Sequence, residues 1–179
     1  MDLGGALAEF VKAPSGLFAR MPDNLSFGQA AALPLVGITA YQAVEKVTIQ
    51  PGQKILVYGG TGGVGHLIVQ LAKLAVAEVY ATVAYENRAT IVKSLGADYA
   101  IHYHHETLKD MIKNYTEGKG FDIVFDTIGN ENLLNSFHLA KIGGNIVTIL
   151  ALTSLDISLL HEKSTEPARG LYDHATALQ

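Results

Sequence analysis

The chain contains no cysteine, which excludes disulfides, cysteine-ligated zinc and thiol catalysis together. It has no basic run, and a formal net charge of -4 leaves no electrostatic footprint for nucleic acid or an anionic membrane surface. No apolar stretch is long enough to span a bilayer: the most apolar window, Ala30 to Val44, is short and carries Pro34 and Gln42. The opening Met-Asp-Leu-Gly-Gly lacks the charged-then-apolar pattern of a secretory signal, so the expectation is a cytoplasmic protein. A Walker lysine, a Ser-His-Asp order and paired catalytic acids are missing as well. What is present is a 179-residue chain, 49% apolar, suited to one α/β domain with a sizeable core.

Glycine is abundant, and five of the 18 fall within the seven positions Gly59 to Gly65. The apolar run Lys54-Ile-Leu-Val-Tyr58 before them reads as a strand. After them, Val64, Leu67, Ile68, Leu71, Ala72 and Ala75 keep helical spacing and predict an amphipathic helix over His66 to Ala75. Gly60, Gly62 and Gly65 complete a G-x-G-x-x-G: the first glycine for a tight turn, the second for approach of a pyrophosphate, the third for helix packing on strand. A pyrophosphate would then sit on the exposed N–H groups of the helix N-terminus. A second strand-like run, Glu78 to Ala84, follows, with Val83 about twenty residues past the glycines. The unit reads as a β-α-β dinucleotide site, against the alternative of a purely structural glycine turn.

Along the rest of the chain the same alternation recurs. Ala8 to Lys12 alternates like a short strand; Ser26 is placed to cap a helix over Phe27 to Leu33, and a second helix runs from Val36 to Lys46. Helices are expected over Asn87 to Leu95, stopped by Gly96, and along the stripes Leu108, Met111, Ile112, Tyr115 and Leu133, Leu134, Phe137, Ala140. Strands are expected over Tyr99 to Tyr103, Phe121 to Asp126 and Asn145 to Leu150. Five strands alternating with helices predict a Rossmann-type, doubly wound parallel sheet in a three-layer α-β-α sandwich. The tail from Ser154 to Gln179 leaves this pattern, apart from a strand stub at Ile157 to Leu160, so the sheet stops one strand short of the six-stranded dinucleotide fold.

The blocks Leu33-Pro-Leu-Val-Gly-Ile-Thr-Ala-Tyr41, Pro51-Gly-Gln53, Tyr58-Gly-Gly-Thr-Gly-Gly-Val-Gly65, Leu95-Gly-Ala-Asp98 and Phe121-Asp-Ile-Val-Phe-Asp-Thr-Ile-Gly129 occur in that order. Together they resemble the medium-chain dehydrogenase/reductases, in particular their zinc-independent quinone oxidoreductase branch, from about Gly5 to Leu160. The resemblance implies an NADP(H)-binding Rossmann domain, here residues 14–153, beside a GroES-like substrate domain. Residues 1–13 would be the remnant of that substrate domain, and 154–179 an atypical tail. The chain is thus expected to be a truncated piece rather than a reduced fold.

The family implies roles for particular residues. An NAD site places a carboxylate at the end of the second strand for the ribose 2′-OH, where it would repel a 2′-phosphate; here that position is Val83, followed by Ala84. Arg88 aligns with the basic residue that binds the 2′-phosphate in the quinone reductases, and a solvated surface arginine is the plain alternative. Glu86 argues the other way, because a shift of its loop would let it take the hydroxyl. Tyr103 aligns with a tyrosine near the adenosine phosphate, or is a half-buried strand-end residue. Thr39 resembles a threonine facing the nicotinamide, or packs in its helix. The backbone of Thr127 to Gly129 leaves a strand end and is placed to line the nicotinamide ribose pocket. The expected cofactor site is therefore Thr39, Gly60, Gly62, Gly63, Val64, Gly65, Arg88, Tyr103, Thr127 and Gly129, with no catalytic residue named.

Two other patterns are set aside. His102, His104 and His105 lack supporting carboxylate or thiol spacing for a metal and read as solvent-side residues, and the cysteine that zinc-dependent relatives carry near Leu35 is absent. Tyr115 and Lys119 match a Tyr-x-x-x-Lys pair, but Gly118 interrupts the helix that would align them. The expectation is the cofactor domain of an NADPH-dependent reductase passing hydride to a small quinone or enone, inactive by itself and homodimeric. A non-enzymatic NADP(H)-binding or interaction module is the alternative.

Overall fold

A computed structural model describes residues 8–150. The chain divides into two units, Met1–Pro34 and Leu35–Gln179. In the first, Ser15–Leu17 forms one 3-10 turn and helix α1 covers Phe27–Ala32. The Ser26 side chain accepts from the Gln29 N–H while the Gln29 side chain accepts from the Ser26 N–H, a reciprocal capping box that fixes where α1 begins. The strand expected over Ala8 to Lys12 does not form. Alternation supplies a face but no partner: no described strand pairs with it, and Phe10 is 89% exposed. The stub at Ile157 to Leu160 and the 154–179 tail lie outside the described residues.

The second unit builds the sheet. Helix α2 (Pro34–Glu45) is followed by β1 (Lys54–Tyr58), α3 (Gly65–Leu74), β2 (Glu78–Val83), α4 (Glu86–Ser94) and β3 (Tyr99–His102). Then come α5 (Leu108–Thr116), β4 (Phe121–Asp126), α6 (Glu131–Leu139) and β5 (Ala140–Thr148). Pro34 opens α2, two residues before the expected start at Val36, because the first turn needs no N–H from that residue. The strands lie parallel in the order β3-β2-β1-β4-β5.

Both faces are covered, which is why the strands are near-continuous apolar runs. Ile55, Val57, Val79, Ala81, Ile123 and Phe125 pack with Ala40 and Ala43 of α2, Ile68 and Val69 of α3, and Val92 of α4. The alternate residues Leu56, Tyr80, Ile101, Val124 and Ile146 pack with Met111 of α5 and with Leu133 and Phe137 of α6. The three-layer α-β-α architecture is therefore present.

β5 starts earlier than expected. It pairs at Ala140 with Phe121, then resumes at Asn145 with Ile123, so the residues between bulge out of the ladder. Gly143, at φ +72, permits the excursion, and Lys141 is anchored to Asp122 across it.

The start of α5 gives a first test. Thr107 accepts from the Asp110 N–H at 3.2 Å, and the Asp110 carboxylate accepts from the Thr107 N–H at 3.1 Å and its hydroxyl at 2.6 Å. Thr107→Ala is expected to cost about 1 kcal/mol in thermal or urea unfolding. The Thr107 hydroxyl and backbone N–H hold the Asp110 carboxyl below its ordinary value. That contribution is present in full above the unfolded carboxyl pKa and is lost as pH falls through the lower folded one. The gap between wild type and variant should therefore narrow in acid, while the bond from the Asp110 N–H to the Thr107 hydroxyl persists.

Candidate nucleotide site at the carboxyl ends of the strands

The strand order reverses between β1 and β4, and open parallel sheets bind ligands beyond the carboxyl ends of their strands at such a point. Leaving β1, Gly59 adopts φ +68, donates its N–H to the buried Thr82 hydroxyl at 3.0 Å, and accepts from the Gly62 N–H at 2.8 Å. The turn glycine is thus Gly59, not Gly60. Gly60 instead permits close packing, since a Cβ there would lie 2.6 Å from the Cβ of Ala81. Gly65 brings α3 against the turn: its Cβ would lie 2.1 Å from the Gly59 carbonyl oxygen. The N–H groups of Gly63, Val64 and Gly65 donate to no acceptor among the described residues, leaving a set of unspent donors at the start of α3.

Leaving β4, the fully buried Asp126 organises the facing loop. Its Oδ1 accepts from the N–H groups of Ile128 at 3.0 Å and Gly129 at 2.9 Å, and the Thr148 hydroxyl lies 3.3 Å from Oδ2. Thr127 donates its hydroxyl to the Tyr58 carbonyl at 2.7 Å, tying the loop back to β1.

Two hollows open between these loops. One, of about 470 Å³, is lined by Val36, Thr39, Gly62, Gly63, Val64, Thr127 and Ile128 among others. The other, of about 360 Å³, is lined by Gly59, Thr61, Gly62, Thr82, Val83, Ala84, Tyr85, Arg88, Tyr103 and Ile128. Thr39, Gly63, Val64 and Thr127 therefore gather in the first, Arg88 and Tyr103 in the second, and Gly62 in both. Thr39 also returns its hydroxyl to the Leu35 carbonyl at 2.8 Å. Gly60, Gly65 and Gly129 line neither hollow and are buried. Gly129, at φ +78, lies under Leu150, whose carbonyl oxygen would stand 2.2 Å from a Cβ at that position.

The lining of the second hollow holds one cation, Arg88, and no carboxylate; Arg88 has no ion-pair partner among the described residues. Glu86, two residues earlier, is turned to His102, with Oε2 3.1 Å from Nε2. The histidines do not gather around a centre: His102 stacks on His105 and His104 lies against Tyr103, and the described residues contain no group of three metal-capable side chains. Tyr115 donates to Glu106 at 2.8 Å, and burial together with that carboxylate pushes its phenol up to about 12. Lys119 meanwhile pairs with Glu117, so the two residues form no Tyr-Lys pair.

Sequence reasoning missed Gly59, Thr82 and Asp126, and named Ile128 only through the backbone of the Thr127 to Gly129 turn, although it lines both hollows. Asp126 carried a readable signal: an aspartate ending a strand, three residues before a glycine, is placed to accept the N–H groups of its own following turn.

A family model described as zinc-binding dehydrogenase matches residues 63–163. The chain belongs to that family, within the medium-chain dehydrogenase/reductases. Among this family's members, the tomato (Solanum lycopersicum) 2-methylene-furan-3-one reductase is 41% identical over 81% of the chain and 36% of its own length. Human quinone oxidoreductase is 29% identical over 87% of the chain and 48% of its own length. The crystal structure of Escherichia coli quinone oxidoreductase complexed with NADPH superposes with a TM-score of 0.75 at 30% identity, over 83% of this chain and 48% of that one. The chain thus spans between a third and a half of these relatives. In this family member, no described helix is long and apolar enough to cross a membrane.

Proposed function

We propose that residues 14–153 form the cofactor-binding domain of an NADPH-dependent, zinc-independent oxidoreductase that passes hydride to a quinone or enone. The observation carrying the reading is the second hollow, where an unpartnered arginine stands alone in sign, and which shares Gly62 and Ile128 with a first hollow lined by Gly63 and Val64, whose N–H groups are unspent. Two anionic groups fit that arrangement: a pyrophosphate on the backbone donors and a 2′-phosphate on a guanidinium that binds it bidentately. Tyr103 offers a ring beside the phosphate end, and the first hollow, with Thr39 and Thr127 on its walls, takes the nicotinamide end. The bound nucleotide supplies the hydride, while the chain's own residues bind and orient it. The NADPH-dependent alkenal/one oxidoreductase of Arabidopsis thaliana, 39% identical over 81% of the chain, supports both the cofactor and the substrate class.

The reading extends to a homodimer in the cytoplasm; what supports the dimer is that β5 is an edge strand among the described residues. Hydride transfer needs both reactants held together, and these residues span about half of their relatives, so the isolated chain is expected to bind NADP(H) and turn nothing over.

Thermal unfolding with NADPH and NADH titrated separately tests the assignment, since a ligand of the folded state raises apparent stability by mass action. NADPH should shift the midpoint more than NADH does, and Arg88→Ala should remove most of that excess, weakening NADPH about tenfold or more through a lost charge-assisted contact. Equal shifts with the two nucleotides, or an Arg88→Ala variant that behaves as wild type, would overturn it.

A further inference from the structure

The 2′-phosphate reading leaves a carboxylate to be accounted for. Glu86 opens α4 directly after Ala84 and Tyr85 of the hollow's lining, two residues before Arg88. A carboxylate in this part of the fold favours a ribose 2′-OH and repels a 2′-phosphate. Nothing packs the Glu86 side chain in place, since it is 88% exposed. Its one polar side-chain contact among the described residues is His102 Nε2 at 3.1 Å.

His102, by contrast, is held. It is the last residue of β3 and the neighbour of Tyr103 in the lining. Its side chain is 23% exposed, its ring stacks on His105 at 5.9 Å and 17°, and its carbonyl accepts from the His105 N–H at 2.9 Å. A fixed ring therefore restrains a free carboxylate.

We propose that His102 sets the nucleotide preference, by holding the Glu86 carboxylate against the end of β3 and out of the hollow that Arg88 and Tyr103 line. This rests on the assignment of that hollow to the 2′-phosphate. With Glu86 restrained, the charge facing the phosphate is the Arg88 guanidinium alone. Without His102 the glutamate is free to reach the hollow's mouth, where it neutralises Arg88, repels the phosphate and accepts from a 2′-hydroxyl. His102 is a positioning residue, acting through Glu86, and it touches no nucleotide itself.

Equilibrium dissociation constants for NADPH and NADH, measured at one pH and ionic strength on the full chain, test the role. His102→Ala should weaken NADPH about fivefold, the size of one screened carboxylate near a phosphate, without weakening NADH. The double variant His102→Ala with Glu86→Gln should recover NADPH affinity, and His102→Gln, which keeps a donor for Glu86, should stay near wild type. Equal loss for both nucleotides, or no recovery in the double variant, would overturn the proposal and leave His102 as packing. Arg88→Ala separates the two levels. If it weakens NADPH while His102→Ala leaves the NADPH-to-NADH ratio unmoved, only the role of His102 falls; if it has no effect, the phosphate assignment falls and takes this proposal with it.

Discussion

Gly65→Ala is expected to destabilise the fold by about 3 kcal/mol and to remove the thermal shift given by NADPH, a larger effect than a helix alanine normally produces. On propensity alone the substitution is favourable, since alanine is the better helix former by nearly 1 kcal/mol and Gly65 opens α3. Packing reverses the sign. The added methyl would lie 2.1 Å from the Gly59 carbonyl oxygen, 2.8 Å from its carbonyl carbon and 3.2 Å from the Gly60 Cα. All three obstacles are backbone, so no rotamer relieves the clash and either α3 or the turn must move. The turn has little slack, because Gly59 is bonded to Thr82 and Gly62, and Gly60 stands against Ala81 and Val92. Displacing α3 moves the unspent N–H groups of Gly63, Val64 and Gly65 off the position that a pyrophosphate needs. Unfolding midpoints measured with and without NADPH check both parts. A variant as stable as wild type that still shifted would show that the turn yields.

Gly118→Ala would be strained for a different reason, a φ of +83, although nothing lies within 4 Å of the Cβ it would add; glycines with equal claims in the sequence differ once their backbone and neighbours are known. The alternation of apolar runs and helical stripes was enough to read five strands in a doubly wound order, because each strand is buried on both faces and must be apolar throughout. Arg88 was named from the family resemblance, and it lies in the lining of the second hollow. The sequence did not show which glycine takes the left-handed turn: Gly59 and Gly60 look alike until Ala81 is found crowding the second. Ala8 to Lys12 and the early start of β5 were misread for related causes. Alternation says nothing about a partner, and the Gly143-Gly144 bulge separates two pairing segments that periodicity alone cannot join. Glu86 read as an argument against NADP, and its contact with His102 could not be seen in the sequence because one residue opens α4 and the other ends β3.

Asp126→Ala is expected to cost about 3 kcal/mol and to weaken nucleotide binding in the molecules that still fold, whereas Asp126→Asn should cost well under half of that. The carboxylate is fully buried and accepts from two consecutive backbone N–H groups, of which that of Gly129 is itself buried. Alanine leaves those donors unpaired beneath Leu150, and an orphaned buried donor costs about 1–3 kcal/mol. Asparagine keeps the acceptor oxygen, and its amide can donate to the Thr148 hydroxyl that now meets Oδ2 at 3.3 Å. For a chain of this size the alanine variant should melt roughly 10 °C lower. The coupling to the site runs through Ile128, which lines both hollows, and Thr127, which lines the first and is pinned to the Tyr58 carbonyl at 2.7 Å. Releasing the loop loosens the wall facing the glycine turn on the side where the strand order reverses. NADPH and NADH should lose affinity together in Asp126→Ala, because this wall meets the part of the dinucleotide that they share. That parallel loss would distinguish Asp126 from Arg88 and His102, whose replacement is expected to move the ratio between the two nucleotides. An Asp126→Ala chain with wild-type affinity for both would place the wall elsewhere and leave the carboxylate a purely structural group at the end of β4.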